Sequence, residues 1–281
     1  MSRARKFIST HLPALKPLLR HVINWFAISP EDPYIKMFKG YFTGKVGLEI
    51  GGPSFLWAKI IPVYKWARRV DNHDFSEDYI RHHRGTGKNK FRYFMHKSGD
   101  QYCGEKAYEG FQEESYDFVI LRDVLEHTAN PLKMLKHLCR ITKTGGAIIV
   151  VTPNKAATYD YARPYTSFKH ILEDFVKDTQ EDDSTHFQEF RDLYHDTVNP
   201  DLKSREELNE MIESNFEHRR LHHHVFSLDV LSRCCSEAGF RVVYATQGLF
   251  PHTIVIATKY DRQWLRMKPS VEKILMHESS C

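Results

Sequence analysis

The chain has 281 residues and a mass of 33.1 kDa, with 41% hydrophobic and 27% charged residues and a mean hydropathy of −0.51. That suits one large globular domain, or a core domain carrying an insertion, and excludes collagen-like, disordered and membrane-embedded chains. Net charge is only +4, but Glu173 to Glu217 holds 15 acidic against four basic residues, a local charge of −11 that leaves +15 elsewhere. A surface that acidic repels phosphate backbones, so no nucleic acid is expected as a partner.

Apolar runs such as Val22 to Ile28 and Ala147 to Val151 fall far short of the ~20 residues a bilayer span needs, so no transmembrane segment is expected. Cys103, Cys139, Cys234, Cys235 and Cys281 are odd in number and lack a framework spacing, which fits a reducing compartment. With no signal-peptide pattern, a cytoplasmic location is the expectation.

In chain order, residues 1–44 comprise an amphipathic helix and its lead-in. Ile8, Leu12, Leu15, Leu19, Val22 and Phe26 recur at helical spacing, with Arg5, Lys6, Lys16 and Arg20 on the polar face. Packing on its own domain is favoured over attachment of residues 4–27 to a membrane surface or a partner. Residues 45–154 alternate short apolar runs with helical stretches. Val46–Ile50, Ala67–Val70, Phe91–Met95, Phe118–Leu121 and Ala147–Val151 read as buried parallel strands. Pro131 to Ile141 reads as a helix, stopped by Thr144-Gly145-Gly146. Strand, helix, turn, strand is a βαβ unit, so the predicted class is α/β with a doubly wound, mostly parallel sheet.

Residues 155–226 break the alternation with an acidic, aromatic and His-rich stretch too long for a connection, and are predicted to be a helical, substrate-determining insertion. Residues 227–281 complete the core and end in a basic tail. Ser227 caps a helix to Ala238, Gly239 stops it, and Arg241–Thr246 and Thr253–Thr258 form an antiparallel pair at the sheet edge.

The segment Val46-Gly47-Leu48-Glu49-Ile50-Gly51-Gly52-Pro53-Ser54 ends a buried strand in an acid followed by glycines, which lets a ligand approach the backbone. Some twenty residues on, Val70-Asp71-Asn72 is expected to place a carboxylate at the end of the second strand, where it can accept hydrogen bonds from two ribose hydroxyls. The glycines alone are weak, because this is not the G-x-G-x-x-G fingerprint.

Tyr116-Asp117-Phe118-Val119-Ile120-Leu121-Arg122-Asp123-Val124-Leu125-Glu126-His127, followed by Asn130-Pro131, Leu135, Arg140-Ile141 and Thr144-Gly145-Gly146, resembles the fourth-strand to fifth-strand region of class I S-adenosylmethionine-dependent methyltransferases. The glycine segment resembles their first motif. The resemblance implies a seven-stranded Rossmann-like sheet and S-adenosylmethionine as cofactor. It places Glu49, Gly51 and Gly52 at the methionine moiety, Asp71 with Asn72 at the ribose, Asp100 after the third strand at the adenine, and Leu121 and Arg122 beside the sulfonium. It covers neither the N-terminal helix nor the insertion, and Gly52-Pro53-Ser54 departs from the family's usual further G-x-G.

Methyl transfer from a sulfonium is an in-line displacement, so the protein positions the acceptor and handles its proton. Candidate bases are His127, just past the fourth strand, His186 in the insertion, and His223 or His224 before the last core helix; each is also able to serve only as a structural hydrogen-bonding group. A Mg²⁺ or Mn²⁺ site from Asp123, Asn154 and a histidine is the metal alternative, since adjacent histidines point in different directions. An insertion rich in Asp, Glu, His, Tyr and Asn suits a small polar acceptor such as a sugar or sugar-containing metabolite. The function expected is therefore O-methylation of such an acceptor. The alternatives are a methyltransferase of a non-sugar small molecule and a non-catalytic cofactor-binding or scaffold protein recruited through its N-terminal helix.

Overall fold

Alternate residues of the central strands go to opposite faces of one sheet and both faces are buried, which is why Phe118–Leu121 and Ala147–Val151 are continuously apolar. Leu48, Ile50, Val119, Leu121, Ile148 and Val150 belong to one buried core, and Val70, Phe118, Ile120, Ile149 and Val151 to a second. In the computed structural model, which describes residues 38–76, 90–104, 110–194, 204–249 and 252–260, eight strands form that sheet. The expected helix over residues 4–27 and the tail beyond residue 260 lie outside the described residues.

The strands are β1 (Val46–Ile50), β2 (Arg69–Asp74), β3 (Lys90–Phe94), β4 (Lys97–Cys103), β5 (Tyr116–Arg122), β6 (Thr142–Pro153), β7 (Phe240–Leu249) and β8 (His252–Lys259), in the spatial order β3-β4-β2-β1-β5-β6-β8-β7. From β4 to β6 all neighbours are parallel, with Leu48 opposite Asp71 on one side and Val119 on the other. The pair β7 and β8 closes one edge in antiparallel fashion, as expected.

The described helices are α1 (Val63–Trp66), α2 (Pro131–Ile141), α3 (Phe168–Lys177), α4 (Phe187–Leu193), α5 (Arg205–Glu213), α6 (Asn215–His218) and α7 (Leu228–Ala238). Local chemistry sets their ends. The Asn130 side chain accepts from Lys133 N ahead of α2, Ser167 from His170 N ahead of α3, and Ser227 from Val230 N ahead of α7, while Gly239 ends α7 in the left-handed region. None of the helices is long and apolar enough to cross a membrane among the described residues.

Two expectations need correcting. Seven strands become eight, because residues 91–94 belong to an antiparallel edge strand, β3, and the outer parallel neighbour of β2 is β4. That strand, Lys-Ser-Gly-Asp-Gln-Tyr-Cys, carries no apolar run; Gly99 lies so close to β2 that a Cβ there would stand 1.9 Å from Val70 O. The second strand also runs later than Ala67–Val70. It continues to Asp74 through four polar residues that are all buried between β1 and β4.

Within the 155–226 stretch, α3 adds Phe168, Ile171 and Leu172 to the main core. Phe190, Leu208, Met211, Ile212 and Leu221 form a separate small core. This cap meets the turn after β5, where His224 N donates to Glu126 O and Ala129 N to the Glu181 carboxylate. The cap therefore sits beside the carboxyl ends of the parallel strands.

Candidate active site

Open α/β sheets bind ligands where strand order reverses, outside the carboxyl ends. Here that point lies between β1 and β5, and the chain leaving β1 forms the crevice floor. Gly51, at φ +75°, donates its N–H to His73 O, and Gly52 N–H donates to Asn72 Oδ1. The loop folds back onto Glu49, so a Cβ on Gly52 would stand 2.0 Å from the Glu49 carboxyl carbon. Glu49 is buried and accepts a 2.5 Å hydrogen bond from Tyr64 OH, which in turn accepts from Ser54 N–H at 2.8 Å. Carboxylate, tyrosine and loop backbone thus hold one another.

At the carboxyl end of β5, Arg122 reaches across this floor. Its Nη1 donates to Ser54 Oγ at 3.2 Å, its Nε pairs with Asp123 at 3.0 Å, and its Nη2 lies 3.3 Å from His252 Nε2. Burial works to raise the Asp123 pKa, but the His252 hydrogen bond and the Arg122 charge bring it below the ordinary carboxylate value.

The turn Leu125–His127 follows. Glu126 is buried, and neither carboxyl oxygen has a hydrogen-bond partner among the described residues. Burial, then the nearby Asp123 charge, drives its pKa well above the ordinary carboxylate value. His127 lies with Nδ1 3.1 Å from Leu221 O and packs edge-on against His222. Burial and the neighbouring His222 push it down to about 3. His222 Nδ1 is 2.5 Å from Asp160 Oδ2; Arg163 Nη1 donates to Asp160 Oδ1 at 2.7 Å and to His222 O at 2.8 Å, and its Nε to Glu189 at 2.7 Å.

The glycine loop over a buried acid, on a mostly parallel sheet, is matched by a family comparison. The family described as "Methyltransferase domain" matches residues 31–245. The chain belongs to that methyltransferase family. It is thereby one of the S-adenosylmethionine-dependent methyltransferases with a Rossmann-like fold. Similar solved structures include an S-adenosylmethionine-dependent methyltransferase from Mesorhizobium loti, at 10% identity over 82% of this chain and 98% of that one, TM-score 0.45. Another from Aquifex aeolicus is 14% identical over 81% and 89%, TM-score 0.39. PigF with SAH is 15% identical over 90% of this chain and 68% of that one, TM-score 0.41. No curated protein matches the chain.

In this methyltransferase the expected cofactor residues separate into two groups. Glu49, Gly51, Gly52, Asn72 and Arg122 gather around the loop, Asn72 acting through Gly52 N–H and through Gln101. Leu121 is wholly buried in the core beneath the sheet. Asp71 and Asp100 stand elsewhere. Asp71 was expected at the end of its strand but lies three residues inside it, fully buried, accepting from Arg69 at 3.0 Å, Asp100 N–H at 2.9 Å and Tyr116 OH at 3.3 Å. Asp100 is inside β4 rather than after it, with its half-exposed carboxylate 4.0 Å from Arg69. The acid that ends β2 is Asp74, buried one residue beyond His73, which is level with Ile50 and Leu121.

The expected bases are scattered. His127 faces His222, not His223 or His224. His223 is fully buried, accepting from Asn215 Nδ2 at 3.3 Å and lying 3.8 Å from Asp183. His224 is buried with Nε2 3.2 Å from Ala129 O, and His186 meets His170. Burial, then neighbouring histidines, keeps both neutral: His186 is pushed down to about 4 and His224 well below its usual value. The oxygen-rich set also fails to assemble. Asp123 is held by Arg122 and His252, and Asn154 Oδ1 caps its own turn by accepting from Ala156 N–H. Sequence reasoning missed Asp74, Glu126, Asp160, Arg163 and His252. Only Asp74 carried a visible signal, as the acid of Asp74-Phe75-Ser76 that ends a strand.

Proposed function

We propose that the enzyme transfers the methyl group of S-adenosylmethionine to a hydroxyl of a small polar acceptor, a sugar or sugar-containing metabolite. The observation that carries this reading is the Asp160–His222 pair standing beside His127 and Glu126 at the end of β5. In this reading Glu49 and the Gly51–Gly52 backbone border the methionine part, and Asp74, rather than Asp71, takes the ribose hydroxyls. Arg122 is fixed between Ser54 and Asp123, so it orders the loop beneath the sulfonium.

S-adenosylmethionine supplies an activated methyl group; the chain's task is to align an oxygen with it and remove a proton. His127, neutral but depressed to about 3, is a weak base. His222 is the better candidate. Its Nδ1–H donates to Asp160, which fixes the tautomer and leaves Nε2 with a lone pair, in the arrangement by which a carboxylate orients a histidine base. Arg163 holds Asp160 and the His222 carbonyl in place. The unpartnered Glu126 carboxyl offers a hydrogen-bonding group to an acceptor hydroxyl, and Tyr159, packed on His222, offers a ring face to stack on a pyranose.

The test is transfer of labelled methyl to a panel of sugars, nucleotide sugars and non-sugar alcohols. A sugar-class product is expected, and His222→Gln should lower kcat/KM by roughly 10²–10⁴-fold while cofactor affinity stays within a few-fold. Products confined to amines or apolar alcohols overturn the acceptor class. Unimpaired turnover in His222→Gln removes it as the base.

A further inference from the structure

The cap contains a second histidine cluster that methyl transfer does not use. His170 and Asp174 lie one turn apart on α3 and so share a face, His186 directly precedes α4, and His224 lies where the chain re-enters the core. One ring nitrogen from each of the three histidines lies within 4.8 Å of the others. His170 Nε2 stands 3.1 Å from His186 Nε2 and 3.3 Å from Asp174 Oδ2, which is 3.8 Å from His224 Nε2.

Protons serve this geometry poorly. A ring N–H has one hydrogen in one fixed direction, yet His170 Nε2 has two partners at hydrogen-bond range. Asp174 Oδ2 and His224 Nδ1 are buried and have no hydrogen bond among the described residues. Three ring nitrogens converge with too few hydrogens between them, Asp174 Oδ2 stands beside His170, and one cation would satisfy the nitrogens together. A tetrahedral ion with bonds of ~2.0–2.2 Å spaces its ligand atoms about 3.3 Å apart, close to the short contacts here.

We propose that His170, His186, His224 and Asp174 bind one zinc ion. Three imidazoles and one carboxylate suit a borderline ion better than Mg²⁺ or Ca²⁺, which prefer oxygen sets. The three histidines converge, and Asp174, 3.3 Å from His170, supplies the fourth ligand by a small side-chain adjustment, which makes the site closed and structural. Outer partners are present: Thr179 Oγ1 donates to Asp174 Oδ1 at 3.2 Å, and Ala129 O receives His224 Nε2 at 3.2 Å. The ion would tie α3, the start of α4 and the segment His222–His224 together, and thereby set His222 beside the crevice. The cluster at Glu126, His127 and His222 also lies within 4.8 Å, but it offers only two imidazoles, and these are the groups assigned above to the acceptor crevice.

The experiment uses tag-free, full-length protein stripped with EDTA and titrated with ZnCl2 alone by calorimetry. One equivalent should bind and raise the melting temperature by about 5 °C or more. Co²⁺ in its place should give the intense visible bands of four-coordinate cobalt. His186→Gln and Asp174→Asn should each weaken zinc binding, on the order of 100-fold for the histidine, whereas His127→Gln should leave it unchanged. Absence of stoichiometric zinc binding by folded wild-type protein would overturn the proposal, as would a six-coordinate cobalt spectrum. Loss of zinc in His127→Gln with retention in His186→Gln would place the ion at the other cluster and overturn it too. Should His186→Gln not fold, Asp174→Asn, which preserves shape, decides the same question.

Discussion

The two walls of the crevice are built on opposite plans. On the wall made by β1 and β2, buried polar side chains are matched mainly to backbone amides and neutral partners: Asn72 to Gly52 N–H and Gln101, Glu49 to Tyr64. On the cap wall, ionisable groups are matched to each other: Asp160 to His222 and Arg163, and Arg163 to Glu189. The sheet wall inherits its stability from two large cores, so its polar residues need only shape a loop. The cap has a core of five fully enclosed apolar residues besides α3, so its form depends on a buried charge network. Breaking such a network from one side leaves uncompensated charge in the interior.

The largest expected effect follows from that asymmetry. Arg163 is wholly buried and serves Asp160, Glu189 and the carbonyls of His222 and His223. Arg163→Met should cost about 3–5 kcal/mol of stability, read by urea denaturation. It should expose the cap to limited proteolysis while S-adenosylmethionine affinity changes by less than about threefold. Equal loss of cofactor binding would mean that the two walls are one cooperative unit.

A smaller effect separates two acids on the sheet wall. Asp74→Ala should weaken S-adenosylmethionine binding on the order of tenfold, as loss of a charge-assisted hydrogen bond does. Asp71→Ala should leave affinity nearly unchanged, because its carboxylate is already engaged by Arg69, Asp100 N–H and Tyr116. Its cost should appear as about 1–3 kcal/mol of stability, from the buried donors left unserved. Calorimetry on both variants decides, and the reverse pattern would restore Asp71 to the ribose.

These two acids also show how far the chain is legible before folding. Strands made of apolar runs, such as Phe118–Leu121 and Ala147–Val151, announce themselves, because burial on both faces favours apolar residues at successive positions. So do Ser227 and Gly239 at the ends of α7, which act through their own backbone neighbours. Hidden from sequence were strand segments without apolar runs, Asp71 to Asp74, whose polar side chains are all buried, and Lys97 to Cys103, which pairs between β2 and β3. The Asp160–His222 pair joins positions 62 apart, and nothing local to either residue indicates the other. For the same reason the triplet His222-His223-His224 reveals that histidines are needed but not that each faces a different partner.

The smallest effect expected is an absence, and it tests the cap wall most finely. His127 has a pKa depressed to about 3, so it is neutral in the folded enzyme from pH 5 to pH 8 and starts to charge only far below that range. Because the unfolded chain binds that proton near pH 6.5, the burial lowers stability as pH falls from 6.5 toward 3; it does not create a titration in activity. The kcat/KM profile between pH 5 and pH 8 should therefore keep its shape in His127→Gln, with at most a modest loss from altered packing against His222. His222→Gln should instead lower kcat/KM across the whole range, by the roughly 10²–10⁴-fold expected for loss of a base. An acid limb near pH 6.5 that disappears in His127→Gln, with turnover unimpaired in His222→Gln, would reverse the roles of the two rings. It would also show that the crevice admits more water to His127 than the packing of Leu221 and His222 around it implies.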